Sequence, residues 1–153
     1  MRLLVLAACA LALTACASGS SRKQSAATPA APTAESLPAQ TLAPGACGLF
    51  LWTRDEPRHF VFFFPAGGAK ARAVLNGQQT ELNVVSQGGE VFAQFMTEMK
   101  MTTPSNLSVS LSLQPGEQIE GGRRVPSARM ISQNAEGWEV ITPLSGTTAC
   151  QPE

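Results

Sequence analysis

Residues 69–85, AKARAVLNGQQTELNVV, carry the clearest structural signal in the sequence. Asn76-Gly77 is the favoured dipeptide for a two-residue type I′ turn, in which both central residues take a positive φ. Such a turn fixes the register of the two flanking strands and places Arg72 directly across from Glu81. The predicted pairs are Leu75–Gln78, Ala73–Thr80, Ala71–Leu82 and Ala69–Val84 on a mostly apolar face, and Val74–Gln79, Arg72–Glu81 and Lys70–Asn83 on a polar face.

Short strands and turn signals continue on both sides of this hairpin. CGLFLWT (47–53) and HFVFFFP (59–65) are apolar on both faces, as is typical of central strands, whereas NLSVSLSLQ (106–114) alternates. In that strand we expect Leu107, Val109, Leu111 and Leu113 to face inward. Further turns are predicted at SQGGE (86–90), QPGE (114–117) and NAEG (134–137), and further strands at VFAQFM (91–96), from about Val125, and at WEVITPL (138–144). MTEMKMTTPSN (96–106) fits either a strand extension or a helical turn.

About eight short strands with closely spaced turns predict an all-β fold, either a small antiparallel barrel or a sandwich. Residues 17–44 are instead rich in Ala, Pro, Ser and Thr, with Leu37 and Leu42 as their only large apolar residues. Such a segment buries too little surface to offset chain entropy, so we expect a disordered tether. The predicted divisions are a signal peptide (1–15), a lipidated tether (16–44) and a single all-β domain (45–153).

The N-terminus predicts the location of the protein. Arg2 precedes an apolar run, Leu3 to Leu13, which suits a signal peptide and is too short to span a membrane. Leu13-Thr14-Ala15-Cys16 resembles the lipobox of bacterial lipoproteins, and this resemblance implies that Cys16 is lipidated and becomes the mature N-terminus. Because Ala17, not Asp, follows the cysteine, the resemblance also implies delivery to the outer membrane. The alternative is an ordinary secretory signal that is cleaved near Ala15.

The four cysteines then divide by role. Cys9 lies in the signal peptide and Cys16 is the lipidation site, which leaves Cys47 and Cys150 at the two ends of the predicted domain. In an oxidising compartment we expect these two to form a disulfide, although two free thiols are the alternative.

Charge and motif content exclude several function classes. From Cys47 onward the chain has eight Lys and Arg against ten Asp and Glu, a net charge of −2, which argues against a nucleic-acid partner. His59 and Asp55 flank a polar turn and lack the third partner of a catalytic triad, and no GxSxG motif is present. We therefore expect a protein without enzymatic activity or cofactor. Its partners are the membrane and an envelope protein or glycan, and its oligomeric state is left open.

We expect a non-enzymatic binding or structural role at the outer membrane or periplasm. The sequence contains three candidate sites for a ligand or partner. Arg123 and Arg124, with Arg129 nearby, form a basic cluster for acidic glycans or phospholipid headgroups. The thioethers of Met96, Met99 and Met101 are candidate Cu(I) ligands in a periplasmic copper protein, or else fill the core.

The third site carries a resemblance. SQGGEVF, Ser86 to Phe92, is similar to the Ser-x-Gly-type loop of bacterial lipoproteins that inhibit c-type lysozyme. The resemblance implies that Ser86, Gly88 and Gly89 enter the lysozyme cleft, on a small tethered β-barrel closed by a disulfide.

The lipidation site can be tested in cells of the source organism that are labelled with radioactive palmitate. We expect label on the full-length chain and none on the Cys16→Ser variant, because the thiol is the acceptor of the lipid. A variant that still carries label would contradict the assignment, and Cys9→Ser serves as the control that keeps it.

Overall fold

The computed structural model describes residues 35–134 and 136–153 and contains nine β-strands. Their bounds are β1 Cys47–Thr53, β2 Phe60–Pro65, β3 Lys70–Leu75, β4 Gln78–Phe92, β5 Phe95–Thr102, β6 Ser108–Gln114, β7 Gln118–Ile119, β8 Gly122–Gln133 and β9 Glu139–Cys150. We find no helix in these two ranges that is long and apolar enough to cross a membrane.

Eight of the strands form one closed antiparallel barrel, so the sandwich alternative is wrong. Each strand from β1 to β6 pairs with the next one, β6 pairs with β8, β8 with β9, and β9 returns to β1. The two-residue β7 is an extra strand that pairs with the start of β8. The predicted all-β class and the barrel are therefore confirmed.

The two ends of the barrel hold different loops. We call one the Asn76 end, where the Asn76–Gly77 turn lies beside loops 54–59, 103–107 and the β8–β9 connection. The opposite Cys47 end holds both termini of the barrel and the β4–β5 hairpin. Phe92 and Phe95 of that hairpin are buried, and Phe95 lies 6.1 Å from the ring centre of Phe64, so the hairpin covers this end of the core.

Side chains fill the barrel interior. In β6, Val109, Leu111 and Leu113 are buried, as their alternation with serines predicts, but Leu107 precedes the strand and is 38% exposed. The largest fully buried side chains are Phe62, Phe64, Phe95, Leu49, Leu51, Leu82, Met99, Met101, Leu111, Met130, Leu144 and Val109.

The hairpin at residues 69–85 has the predicted register at every pair. Asn76 and Gly77 have φ values of 50° and 70°, as a type I′ turn requires. The ion pair is diagonal, however, because the ammonium of Lys70 lies 2.6 Å from Oε1 of Glu81. Arg72, directly across from Glu81, instead donates to Oε1 of Gln40 at 2.8 Å.

The predicted turn at SQGGE is wrong. These residues lie inside β4, and the chain reverses later, at Ala93 and Gln94, which both have positive φ. The predicted strand VFAQFM (91–96) is therefore also wrong, because this turn divides it between β4 and β5. Gly88 and Gly89 lie in an irregular stretch where the register with β5 shifts, and Gly89 has a φ of 78°. Glycines in a strand can mark a bulge as well as a turn, and here they bend a continuous strand.

Three other boundaries also differ from the sequence prediction. The ambiguous segment 96–106 contributes strand β5 and not a helical turn, while β8 begins at Gly122, three residues before Val125. The last strand extends beyond WEVITPL to Cys150. These extensions allow β8 and β9 to pair along ten residue pairs, interrupted by a bulge between Val125 and Ala128.

The first and last strands of the barrel meet along seven consecutive pairs, from Cys47–Cys150 to Thr53–Leu144. Cys47 and Cys150 form the predicted disulfide at the first of these pairs. Farther along, Gly146 lies so close to β1 that a Cβ atom there would overlap the carbonyl oxygen of Phe50. We call this pairing the β1–β9 seam.

Part of the predicted tether packs against the barrel. The structure describes residues 35–44 of that segment, and within them Leu37 is only 6% exposed. The amide of Leu37 donates to the carbonyl of Phe60 at 2.7 Å, and Leu42 lies over Gly48 in β1. The two leucines that stand out in the tether sequence thus both contact the outer wall.

Reduction of the disulfide should destabilise the domain strongly. The cross-link joins residues 103 positions apart, and the chain-entropy model values a loop of about 100 residues at about 4–5 kcal/mol. We expect urea unfolding of the Cys47→Ser/Cys150→Ser variant to show that loss. An unchanged free energy of unfolding would show that the bond does not stabilise the closed barrel.

Gly146→Ala should weaken the seam itself. The new Cβ meets backbone atoms of Phe50 and Leu51, which cannot move without separating β1 from β9, so we expect a loss of about 1–3 kcal/mol in urea unfolding. Gly88→Ala is the matched control, since a Cβ there meets nothing within 4 Å. Equal effects of the two substitutions would argue against the close approach at Gly146.

Candidate functional site

The outer face of β1 and β2 carries a row of aromatic side chains. Phe50, Trp52 and Phe60 are half-buried there, while the alternating residues of the same strands face the core. The ring centres of Trp52 and Phe60 are 5.1 Å apart, and those of Phe50 and Phe60 are 6.0 Å apart. The prediction that both faces of these strands are apolar is confirmed, but the outer face is only partly covered.

A groove of about 490 Å³ lies beside Trp52 on this outer wall. The β8 bulge at Pro126 departs from regular pairing with β9 and leaves room next to the indole ring, while Gly146 allows β9 to approach the backbone of β1 closely. The lining residues are Trp52, Arg58, Ile119, Arg124, Val125, Pro126, Ser145, Gly146 and Thr147.

Two arginines line the groove, each with only a weak partner. Nε of Arg58 lies 3.6 Å from Oε1 of Glu56, and Nε of Arg124 lies 3.0 Å from Oε1 of Glu117. Both arginine side chains are 60% exposed. Exposed ion pairs contribute about 0–1 kcal/mol, so either guanidinium can exchange its glutamate for the carboxylate of a ligand at little cost.

Hydroxyl groups complete the lining. Ser145 and Thr147 follow alternate positions of β9, on the same side as the groove. The hydroxyl of Thr147 lies 2.8 Å from the carbonyl oxygen of Thr148 and donates its proton to the backbone, which leaves its oxygen able to accept. An aromatic face, two cations and neutral hydroxyls together suit a ligand that is polar, partly flat and acidic.

A second cavity of about 290 Å³ opens at the Asn76 end, between the hairpin turn and loop 103–107. Its lining includes Thr80, Thr103 and Ser132 with several apolar residues and carries no charged side chain. Thr103 already uses its hydroxyl within the loop, where it bonds to Ser105 and accepts from the amide of Leu107. The groove at Trp52 therefore offers the stronger combination of charge and aromatic surface.

The structure separates the predicted arginine cluster. Arg124 lines the groove, whereas its neighbour Arg123 donates from Nε to the carbonyl of Gly116 at 2.8 Å, near the Cys47 end. Arg129 is exposed on the same strand but lies across from Pro143, outside the groove lining. Of the three arginines, only Arg124 belongs to the candidate site.

Ser86, Gly88 and Gly89 lie in β4, on the wall of the barrel opposite β9. They form part of a bulged strand and not a projecting loop, and the amide of Glu90 donates to the hydroxyl of Thr97 at 2.8 Å. The loop that the lysozyme-inhibitor resemblance implies is therefore not formed by these residues.

The remaining candidates do not converge. Met99 and Met101 are buried inside the barrel, whereas Met96 occupies the other face of β5 and is half-buried. Asp55 is exposed, and Nδ1 of His59 lies 3.4 Å from the hydroxyl of Ser36. Among residues 35–134 and 136–153, no group of three His, Cys, Asp or Glu side chains could hold a metal ion.

Sequence reasoning missed most of the groove. The lining takes Arg58 from one segment and Ser145 and Thr147 from another, far along the chain. None of these residues stands in a recognisable motif. Trp52 belongs to CGLFLWT (47–53), which is predicted to be apolar on both faces, and this pattern is the one sequence signal for an aromatic side chain outside the core.

Comparison with known proteins adds no relative. No protein-family model, no curated protein and no solved structure matches this chain.

Proposed function

We propose that this chain is an envelope lipoprotein, held at the outer membrane through lipidated Cys16, that binds an acidic glycan without transforming it. The groove at Trp52 is the proposed binding site. The observation that carries the proposal is that one aromatic ring and two weakly paired arginines line the same groove on the outer wall of the barrel.

This arrangement suits a sugar acid in physical terms. The apolar C–H face of a pyranose ring can pack on the indole of Trp52, while its carboxylate receives two parallel N–H bonds from Arg124 or Arg58. Ser145 and Thr147 can exchange hydrogen bonds with ring hydroxyls. A neutral glycan would leave the arginines with their glutamates, and a simple anion would not use the aromatic ring.

The openness of the groove and the exposure of both arginines favour weak binding. Few groups are fully desolvated, so we expect a dissociation constant of about 0.1–1 mM, which corresponds to about −4 to −5.5 kcal/mol. Weak sites suit a protein that meets a polymeric ligand at high local concentration, because several anchored copies can engage one polymer.

The envelope location is supported by features of different kinds. The N-terminal sequence carries the lipobox resemblance, and the Cys47–Cys150 disulfide is of a type that persists in oxidising compartments. The groove lining combines an indole ring with two guanidinium groups and two hydroxyls, a set of side chains that suits binding.

Binding can be followed through Trp52 fluorescence in a Trp138→Phe background, which leaves Trp52 as the only tryptophan. We expect a saturable change with oligosaccharides of hexuronic acid and a much smaller one with neutral oligosaccharides of equal length. Arg124→Gln should weaken binding about tenfold, since a charged hydrogen bond contributes about 1.5–3 kcal/mol.

Arg129→Gln is the matched control, because it removes the same charge from the same strand outside the groove. Equal losses for the two variants would indicate a general charge effect and contradict the site. No saturable change with the acidic oligosaccharide, or a change only with vesicles of anionic phospholipid, would overturn the glycan assignment.

A further inference from the structure

Exposed apolar side chains are concentrated at the Asn76 end of the barrel. Trp138 is 73% exposed, Ile141 57% and Val140 37%, and all three belong to the β8–β9 connection and the start of β9. We call these three residues the apolar tip. Leu107, 38% exposed, lies in another loop at the same end.

Hydrogen bonds hold the backbone of the apolar tip in place. Oδ1 of Asn134 accepts from the amide of Trp138 at 2.9 Å and from the amide of Glu136 at 3.1 Å. The amide of Asn134 in turn donates to the carbonyl of Trp138 at 2.9 Å, and Gly137 supplies a φ of 85°. A tryptophan whose backbone is fixed in this way is presented outward at little further entropic cost.

The apolar tip also extends beyond the neighbouring strand. β1 ends at Thr53, which pairs with Leu144, and the amide of the next residue, Arg54, donates to the carbonyl of Pro143 at 3.3 Å. Residues 139–142 of β9 therefore have no partner from β1, and Pro143 borders this free edge with a nitrogen that cannot donate to another strand. Addition of another strand at this edge is therefore disfavoured, and a partner would contact the exposed side chains rather than the backbone.

The first described residues of the chain, which precede the barrel, lie at this same end. The amide of Leu37 contacts Phe60 at the start of β2, and Gln79 at the start of β4 donates to the carbonyl of Ser36. Only nineteen residue positions separate Cys16 from Glu35, so the distance between these two residues cannot exceed about 65 Å, the fully extended length of such a chain. A lipid on Cys16 would therefore keep the Asn76 end within that distance of the membrane.

Charge at this end selects the kind of lipid surface. Loop 54–59 carries Arg54, Asp55, Glu56 and Arg58, and Glu136 and Glu139 flank Trp138, which gives a net charge of −2 for this set. An acidic rim disfavours a strongly anionic membrane surface. Zwitterionic headgroups fit better, with Trp138 at the boundary between headgroups and acyl chains.

We propose that Trp138, Val140 and Ile141 insert into the zwitterionic headgroup region of the membrane that holds the lipid anchor. This inference rests on the proposed lipid anchor at Cys16. The insertion gives the barrel a second contact with the membrane and sets its orientation, with the Asn76 end inward and the Cys47 end outward.

The test uses the mature chain from Cys16, whose thiol is the only one outside the disulfide. This thiol is coupled to a maleimide phospholipid in phosphatidylcholine vesicles with brominated acyl chains, in a Trp52→Phe background. We expect Trp138 emission to fall about twofold and to shift to shorter wavelength, because tryptophan at a membrane interface lies within reach of the bromines.

Matched variants locate the effect. Trp138→Phe with Trp52 retained should show little quenching, Ile141→Ser should remove most of the Trp138 quenching, and Val85→Ser, an exposed apolar residue of β4, should leave it unchanged. Unquenched Trp138 in the coupled chain would overturn the inference. Quenching that grows when anionic lipid is added would contradict the assignment to zwitterionic headgroups.

The test separates the inference from the proposal on which it rests. Chemical coupling supplies the anchor, so absent palmitate labelling in cells would refute lipidation without changing the quenching result. A sedimentation experiment covers the competing occupant: a dimer that Ile141→Ser dissociates would assign the apolar tip to a second copy of the chain and overturn membrane insertion.

Discussion

The pairing of β1 with β9 is the constraint on which the rest of the structure depends. Seven consecutive residue pairs join strands from the two ends of the domain, and without them both strands would be unpaired edges. Contacts so distant in sequence require a large loss of chain entropy. The Cys47–Cys150 disulfide offsets part of this loss by holding the first pair of the seam together in the unfolded chain.

The same seam builds the proposed binding site. Side chains alternate across a strand, so the residues of β1 and β9 that do not fill the core must face outward beside one another. Trp52 and Ser145 are such a directly opposed pair, and Gly146 next to them brings the two backbones close. The neighbouring β8 bulge then widens the surface into a groove. The contacts that close the barrel therefore also position the residues of the proposed binding site.

Local patterns in the sequence correctly predicted the features that depend on residues close together in the chain, namely strand register and the buried face of a strand. The Asn76-Gly77 turn determined the register of β3 and β4, and the serine alternation of β6 identified three of its buried residues correctly. The expectation that Cys47 pairs with Cys150 followed from their positions at the two ends of the predicted domain, once Cys9 and Cys16 had been assigned to the N-terminus, and the structure confirms it. The sequence could not distinguish a closed barrel from a sandwich, because the pairings of β6 with β8 and of β9 with β1 leave no local signature.

The errors also have physical causes. Gly88-Gly89 fits a turn and a bulge equally well, and only the partner strand β5 decides between them. Leu37 stands in a polar, proline-rich context, yet it is buried against the outer wall of the barrel, near Arg72 and Gln79. The groove combines residues from loop 54–59, β1, β8 and β9, so its composition follows from the closed barrel and from no single stretch of sequence.

Hydrogen exchange of the backbone amides in the intact, oxidised chain tests the seam most directly. We expect the amides of β1 and of the paired part of β9 to exchange as slowly as those of β3 and β4, with added protection near Trp52 and Ser145 when the acidic oligosaccharide is bound. Exchange of β1 and β9 as fast as that of the loops would show an open barrel and contradict this structural basis for the groove.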